Sequence, residues 1–166
     1  IIDHLMIRHD RLIDLTKIGR GEFGEVLVGS VLECDMPAAL VGKNHQTHQK
    51  ENGSTTAISS ADENEIQAQQ RINILVKSLS KIKDETFFIE FRRQIDLYRA
   101  VESPNVVKLL ALSFEKDHHF IVLEHSRELK AYLIDHPDTP TQQLVKFCSQ
   151  ITKGLNAIAN SKLTHR

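Results

Sequence analysis

The run Lys17-Ile-Gly-Arg-Gly-Glu-Phe-Gly-Glu-Val-Leu-Val-Gly29 limits what this chain can fold into more than any other stretch. Gly19, Gly21 and Gly24 fall within six positions, in a chain that has only seven glycines. Glycine loses more conformational freedom on ordering than any other residue. A cluster of them therefore marks backbone that bends sharply or comes very close to something. Leu12 to Gly19 and Gly24 to Leu32 are rich in apolar, β-favouring residues. They predict two strands of a hairpin whose turn is the glycine loop.

Beyond the hairpin the composition changes. From about Gly42 to Gln70 almost nothing could anchor a core, and the low hydrophobicity predicts a disordered insertion. Order resumes at Ile72 to Leu79 with a third strand. Phe87, Phe88, Phe91, Ile95, Tyr98 and Val101 then recur at three- and four-residue spacings. That is the buried face of an amphipathic helix, opened by the acidic pair Asp84 and Glu85 and ended by Ser103-Pro104-Asn105. Residues 106–115 and 118–124 read as a fourth and a fifth strand, and 127–135 as a short helix. After Pro140, Leu144, Phe147, Cys148, Ile151, Leu155 and Ile158 line one stripe of a longer helix.

A chain of 166 residues, 40% apolar and 26% charged, fits a soluble domain or part of a larger one. A net charge of −1 and the absence of tryptophan give no reason to expect a nucleic acid as partner. Cys34 and Cys148 stand in no metal or redox spacing, which argues against a disulfide framework and for a reducing compartment. No apolar run approaches the ~20 residues of a membrane-spanning helix. The chain begins at Ile1 without a signal peptide and reads as a piece of a longer protein. His45 and His48 lack the further ligands a zinc site needs, so a solvated loop is the better reading. Asn52-Gly-Ser54 is a glycosylation sequon, inert if the segment is cytoplasmic. Arg92 and Arg93 read as the wet side of their helix.

Three segments taken together point to one family. The loop Gly19-x-Gly21-x-x-Gly24-x-Val26 joins two strands. Ile74-Leu75-Val76-Lys77 puts a lysine at the end of the third, and Asn105-Val-Val-Lys-Leu109 follows the helix. The chain closes on Thr164-His165-Arg166. This resembles the amino-terminal half of a receptor tyrosine kinase domain, the last two residues matching the start of its His-Arg-Asp loop. A G-x-G-x-x-G run also marks dinucleotide-binding folds. There a helix follows the loop and an acidic residue stands ~20 positions on, whereas here a second strand follows. The resemblance is nearest to the colon carcinoma kinase / off-track family of receptor pseudokinases. It covers most of the chain outside the insert.

The resemblance implies an α+β kinase-like fold, with a five-stranded antiparallel sheet and one helix over residues 1–124. The hinge and the first helices of a second lobe would occupy 125–166. It implies ATP with magnesium as cofactor if the parent is active, and none if it is not. Gly19, Gly21 and Gly24 would bring backbone N–H groups to the phosphates, Phe23 would cap the loop tip and Val26 would cover the adenine. Lys77 would reach the α- and β-phosphates. Leu123 would be the gatekeeper, with main-chain groups of Glu124 and Ser126 facing the adenine edge. Gln94, Tyr98, Leu109 and His165 fall at structural or regulatory positions of the family.

Two departures weigh against activity. Active kinases mostly carry alanine two residues before the lysine. Leu75 stands here and should partly fill the adenine pocket. The helix position whose carboxylate should pair with the lysine is Gln94, which brings no charge. Glu90, one turn earlier, is the alternative partner. The stretch after the hinge, Ser126-Arg-Glu-Leu129, is shorter than usual in the family and lacks its glycine. The catalytic aspartate and the magnesium site would lie beyond Arg166, so the resemblance implies that residues 1–166 alone do not transfer phosphate. The expected function is that of a receptor pseudokinase at the cytoplasmic side of the plasma membrane. It would be a single-pass receptor's signalling scaffold of the Wnt and planar polarity type, binding signalling proteins or other receptors, with ATP binding weak or absent. The alternative is the ATP-binding lobe of an active tyrosine kinase.

Overall fold

The computed structural model describes residues 3–37, 70–79 and 85–165. The expected insertion (save its last residue), both loop histidines, the sequon and Asp84 lie outside them. Strands β1 (Ile13–Arg20) and β2 (Glu25–Leu32) form the expected hairpin, followed by β3 (Arg71–Leu79) and helix α1 (Glu85–Ala100). Then come β4 (Leu109–Glu115), β5 (His118–Glu124), α2 (Leu129–Asp135) and α3 (Thr141–Asn160). The five strands make one antiparallel sheet in the order β1-β2-β3-β5-β4.

Alternation along the strands sorts the apolar residues onto two faces. One face carries Leu79, Leu109, Leu112, Ile121 and Leu123, which pack with Phe91 and Ile95 of α1. Helix α1 forms because its large apolar residues recur every three or four positions. Phe91 is fully buried and Ile95 nearly so. The other face carries Val31, Ile74, Val76, Ala111, Phe120 and Val122.

That second face is covered by a segment in which the sequence showed no pattern. Ile7 and Leu12, with Met36, pack onto it. Ile7 N–H donates to the Leu112 carbonyl (2.8 Å), and Met6 forms a parallel bridge with Leu112 on the outer edge of β4. Short 3-10 turns at Asp3–Leu5 and His9–Arg11 lead the chain round this edge. Strand-edge N–H and C=O groups are thereby partly satisfied.

Several boundaries differ from expectation, among them those of β4 and α2. Strand β4 starts at Leu109 rather than Val106, because Val106 N–H closes a turn on Ser103 O (3.2 Å) while Asn105 N–H bonds Ser103 Oγ. Helix α2 starts at Leu129, with Glu128 in extended backbone before it. The apolar stripe of α3 is helical as expected. Leu144, Ile151 and Leu155 on it are nonetheless 38–50% exposed, while Phe147 meets the edge of Tyr132 at 5.7 Å. Gly154 is the one buried residue of this helix, because a Cβ there would lie 2.6 Å from the Asn105 carbonyl oxygen.

Candidate functional site

Strand register brings the candidate residues together. Val26 lies opposite Lys77, and Val28 opposite Leu75, which lies opposite Leu123, which in turn lies opposite Leu109. Cross-strand partners share a face. One row therefore runs Val28–Leu75–Leu123–Leu109, with Val26 and Lys77 one step nearer the glycine loop. Leu75 is half-buried and packs against the cluster that holds Leu123 and Leu109. Its side chain thickens the apolar ceiling where the resemblance places adenine.

The glycines do different work. A Cβ at Gly21 would press on Val26 Cγ2 at 3.3 Å. At Gly19 it would meet nothing within 4 Å, and none of the described glycines has a positive φ. Nothing in the described fold itself calls for glycine at position 19. Beside the turn of the hairpin Lys17 Nζ donates to Glu25 Oε1 at 2.6 Å. The hydrogen bond and charge of Lys17 hold the Glu25 carboxyl below the usual carboxylate range. A lowered folded value means the pair contributes above the ordinary carboxylate pKa and fades as pH falls through the lowered one. Both side chains of the pair reach water, so the contribution is small.

The loop is closed on itself and on α1. Gly21 N–H donates to the Gly24 carbonyl at 2.7 Å. Phe23, at the tip, is only 8% exposed. Its ring meets those of Phe87 at 5.1 Å and Phe91 at 5.7 Å, both edge-on, a favoured aromatic geometry. Phe23, which the resemblance makes the cap of the loop tip, has its side chain turned inward onto α1. Beneath it remains a crevice of about 80 Å³, lined by the loop, Lys77, Ser78 and Gln94. Ligand pockets commonly offer about 300–1,000 Å³.

Lys77 finds a partner that the sequence reading did not assign. Its Nζ donates to Tyr98 Oη at 2.8 Å. The ammonium also lies 5.4 Å from the Tyr98 ring centroid. A phenol oxygen projects in the ring plane, so these two distances put Nζ near the extension of the C–O bond rather than over the π face. The contact is a hydrogen bond, not a cation–π interaction. Among the described residues no carboxylate forms an ion pair with Lys77. Glu90, the alternative partner, faces Arg93 instead at 3.2 Å. Gln94 lies beside Lys77 and lines the crevice with it.

Behind the lysine a larger cavity of about 510 Å³ opens between α1, the 101–107 segment and α3. Lys77, Gln94, Tyr98 and His165 all border it, so three of the four structural positions meet at one place. Leu109 is buried in the neighbouring cluster, against which Tyr98 packs. At the hinge Glu124 N–H is committed to the Lys108 carbonyl (3.0 Å). Glu124 can therefore offer an adenine edge only its carbonyl, while Ser126 is exposed. The sequence reading also passed over Ile18, an apolar side chain 58% exposed beside the loop. The signal was there, in an apolar residue directly before Gly19 on an outward strand position.

A family model described as protein tyrosine and serine/threonine kinase matches residues 12–166. The chain belongs to the protein kinase family. The five-stranded sheet with α1 is its N-lobe, and α2 and α3 begin its C-lobe. Among curated relatives, the tyrosine-protein kinase-like otk proteins of Drosophila erecta and Drosophila melanogaster are each 32% identical over 214 aligned residues, spanning 100% of this chain. That of Drosophila mojavensis is 31% identical over 220. The kinase chain described here spans about a fifth of the length of these relatives (20–21%). The resemblance to off-track thus holds along the whole kinase segment.

Proposed function

We propose that this chain is part of a kinase-like cytoplasmic domain of a membrane receptor, a pseudokinase that works as a signalling scaffold with weak or absent ATP binding. The observation that carries the reading is the state of Lys77. It is held by a tyrosine hydroxyl, Gln94 occupies the helix position beside it, and no described carboxylate pairs with it. An active kinase needs the lysine fixed by a carboxylate so that its charge is presented to the phosphates. Leu75 over the adenine position and the narrow crevice beneath the loop support the same conclusion. The receptor context, the plasma-membrane location and a role of the Wnt and planar polarity type follow from the off-track likeness. The partners are then signalling proteins or other receptors.

One observation favours the rival, an active ATP-dependent tyrosine kinase. Gly19 has open space where a Cβ would stand, so a ligand's close approach accounts for glycine there better than packing does. Calorimetry with Mg-ATP on the intact kinase domain of the parent protein, with an autophosphorylation assay, separates the two. The scaffold reading expects no measurable binding or millimolar affinity, and no phosphate incorporation. Micromolar affinity together with Lys77-dependent autophosphorylation would sink it.

A further inference from the structure

We propose that Phe23 is a latch: by docking on helix α1 it holds the glycine loop shut and excludes a nucleotide's phosphates. The proposal rests on reading the loop as a phosphate loop, as above, and adds the element that opens or closes it. A loop-tip residue that follows exposed Gly21 and Glu22 would ordinarily be solvated. Phe23 is instead 8% exposed and belongs to the same buried cluster as Leu79, Phe91 and Ile95. Its two ring neighbours, Phe87 and Phe91, both come from α1.

Docking closes the site in two ways at once. The ring lines what is left of the crevice, about 80 Å³. The loop bend that seats it also turns the Gly21 N–H onto the Gly24 carbonyl, away from any incoming oxygen. Lifting Phe23 would free both the volume and the donor. A latch that is mostly closed lowers apparent affinity by the fraction of molecules that are open. Because the latch seat is α1, which also carries Gln94 and Tyr98, anything that shifts α1 changes the open fraction. Nucleotide binding loosens the seat in return.

The test compares Mg-ATP affinity of the intact kinase domain of the parent protein with and without Phe23→Ala, by calorimetry, after circular dichroism confirms that the variant is folded. The latch predicts a gain of about tenfold or more for the variant, together with faster amide exchange at residues 21–24. Unchanged affinity in a folded variant overturns it. Equally weak binding by both proteins therefore rejects the latch and leaves the scaffold reading standing. Tight binding by the unmodified chain rejects the scaffold reading, and rejects the latch too unless the variant binds still more tightly. Phe23→Trp covers the case in which the alanine variant does not fold, its emission read as the difference from the unmodified domain. Emission should be blue-shifted without nucleotide and move toward that of solvated tryptophan at saturating Mg-ATP. Solvent-like emission at the outset, or no change at a nucleotide concentration that calorimetry shows to be saturating, overturns the latch.

Discussion

Tyr98 and Ser113 show how much a single polar atom decides in this lobe. The Tyr98 hydroxyl is the hydrogen-bond partner of Lys77, and a hydrogen bond to a charged group contributes about 1.5–3 kcal/mol where water is excluded. Lys77 is only half-buried, so Tyr98→Phe should cost about 1 kcal/mol in urea denaturation, toward the low end of hydrogen-bond values. No loss at all would mean that the ammonium is as well solvated as bonded. Ser113 is the reverse case. It is fully buried in β4 and its Oγ has no hydrogen-bond partner among the described residues. An unsatisfied buried hydroxyl costs about 1–3 kcal/mol. Ser113→Ala should therefore raise the urea midpoint without changing the slope. A lower midpoint would show that the hydroxyl has a partner after all. The Gln94 position was legible from sequence, because it needs only a count along a helix. The Tyr98–Lys77 bond was not, because it depends on how a strand end and a helix face each other across the core.

At the scale of elements, periodicity carried most of the information. All five expected strands and three expected helices are present, with ends displaced where local turns intervene. The Ser103 turn delayed β4, since a side-chain oxygen and a main-chain carbonyl of one residue captured two N–H groups that a strand would have used. The crossing of α3 over the 103–107 segment was beyond such reading. Gly154 sits in an ordinary helical run, and only the approach of the Asn105 carbonyl explains it. Gly154→Ala places a methyl 2.6 Å from that oxygen, and backbone cannot yield as a flexible side chain can. The helix has to shift, so the substitution should lower stability by about 1–3 kcal/mol despite alanine's better helix propensity. Thermal unfolding followed by circular dichroism checks it, and an unchanged or higher Tm would refute the close crossing.

For the molecule as a whole, burial outweighs charge. The described ion pairs lie between exposed side chains apart from Asp35, and such pairs contribute about 0–1 kcal/mol each. Phe91 is fully buried, touching Phe23 on one side and Phe114 on another. Phe91→Ala should cost about 3–5 kcal/mol. Raising ionic strength until the Debye length shrinks to ~3 Å should change stability far less. A salt effect as large as the Phe91 effect, read from urea titrations, would reverse that ranking. Element order, the glycine loop, the lysine strand and the family were legible before folding, because these depend on local spacing and on residue types along one segment. Folding in three dimensions added that Ile7 and Leu12 cover the second face of the sheet. It alone decided that Lys77 bonds Tyr98 rather than a carboxylate, and that Phe23 folds under its own loop. Each of these is a contact between segments far apart in the chain, chosen by which apolar surfaces can be buried together, and no local pattern records it.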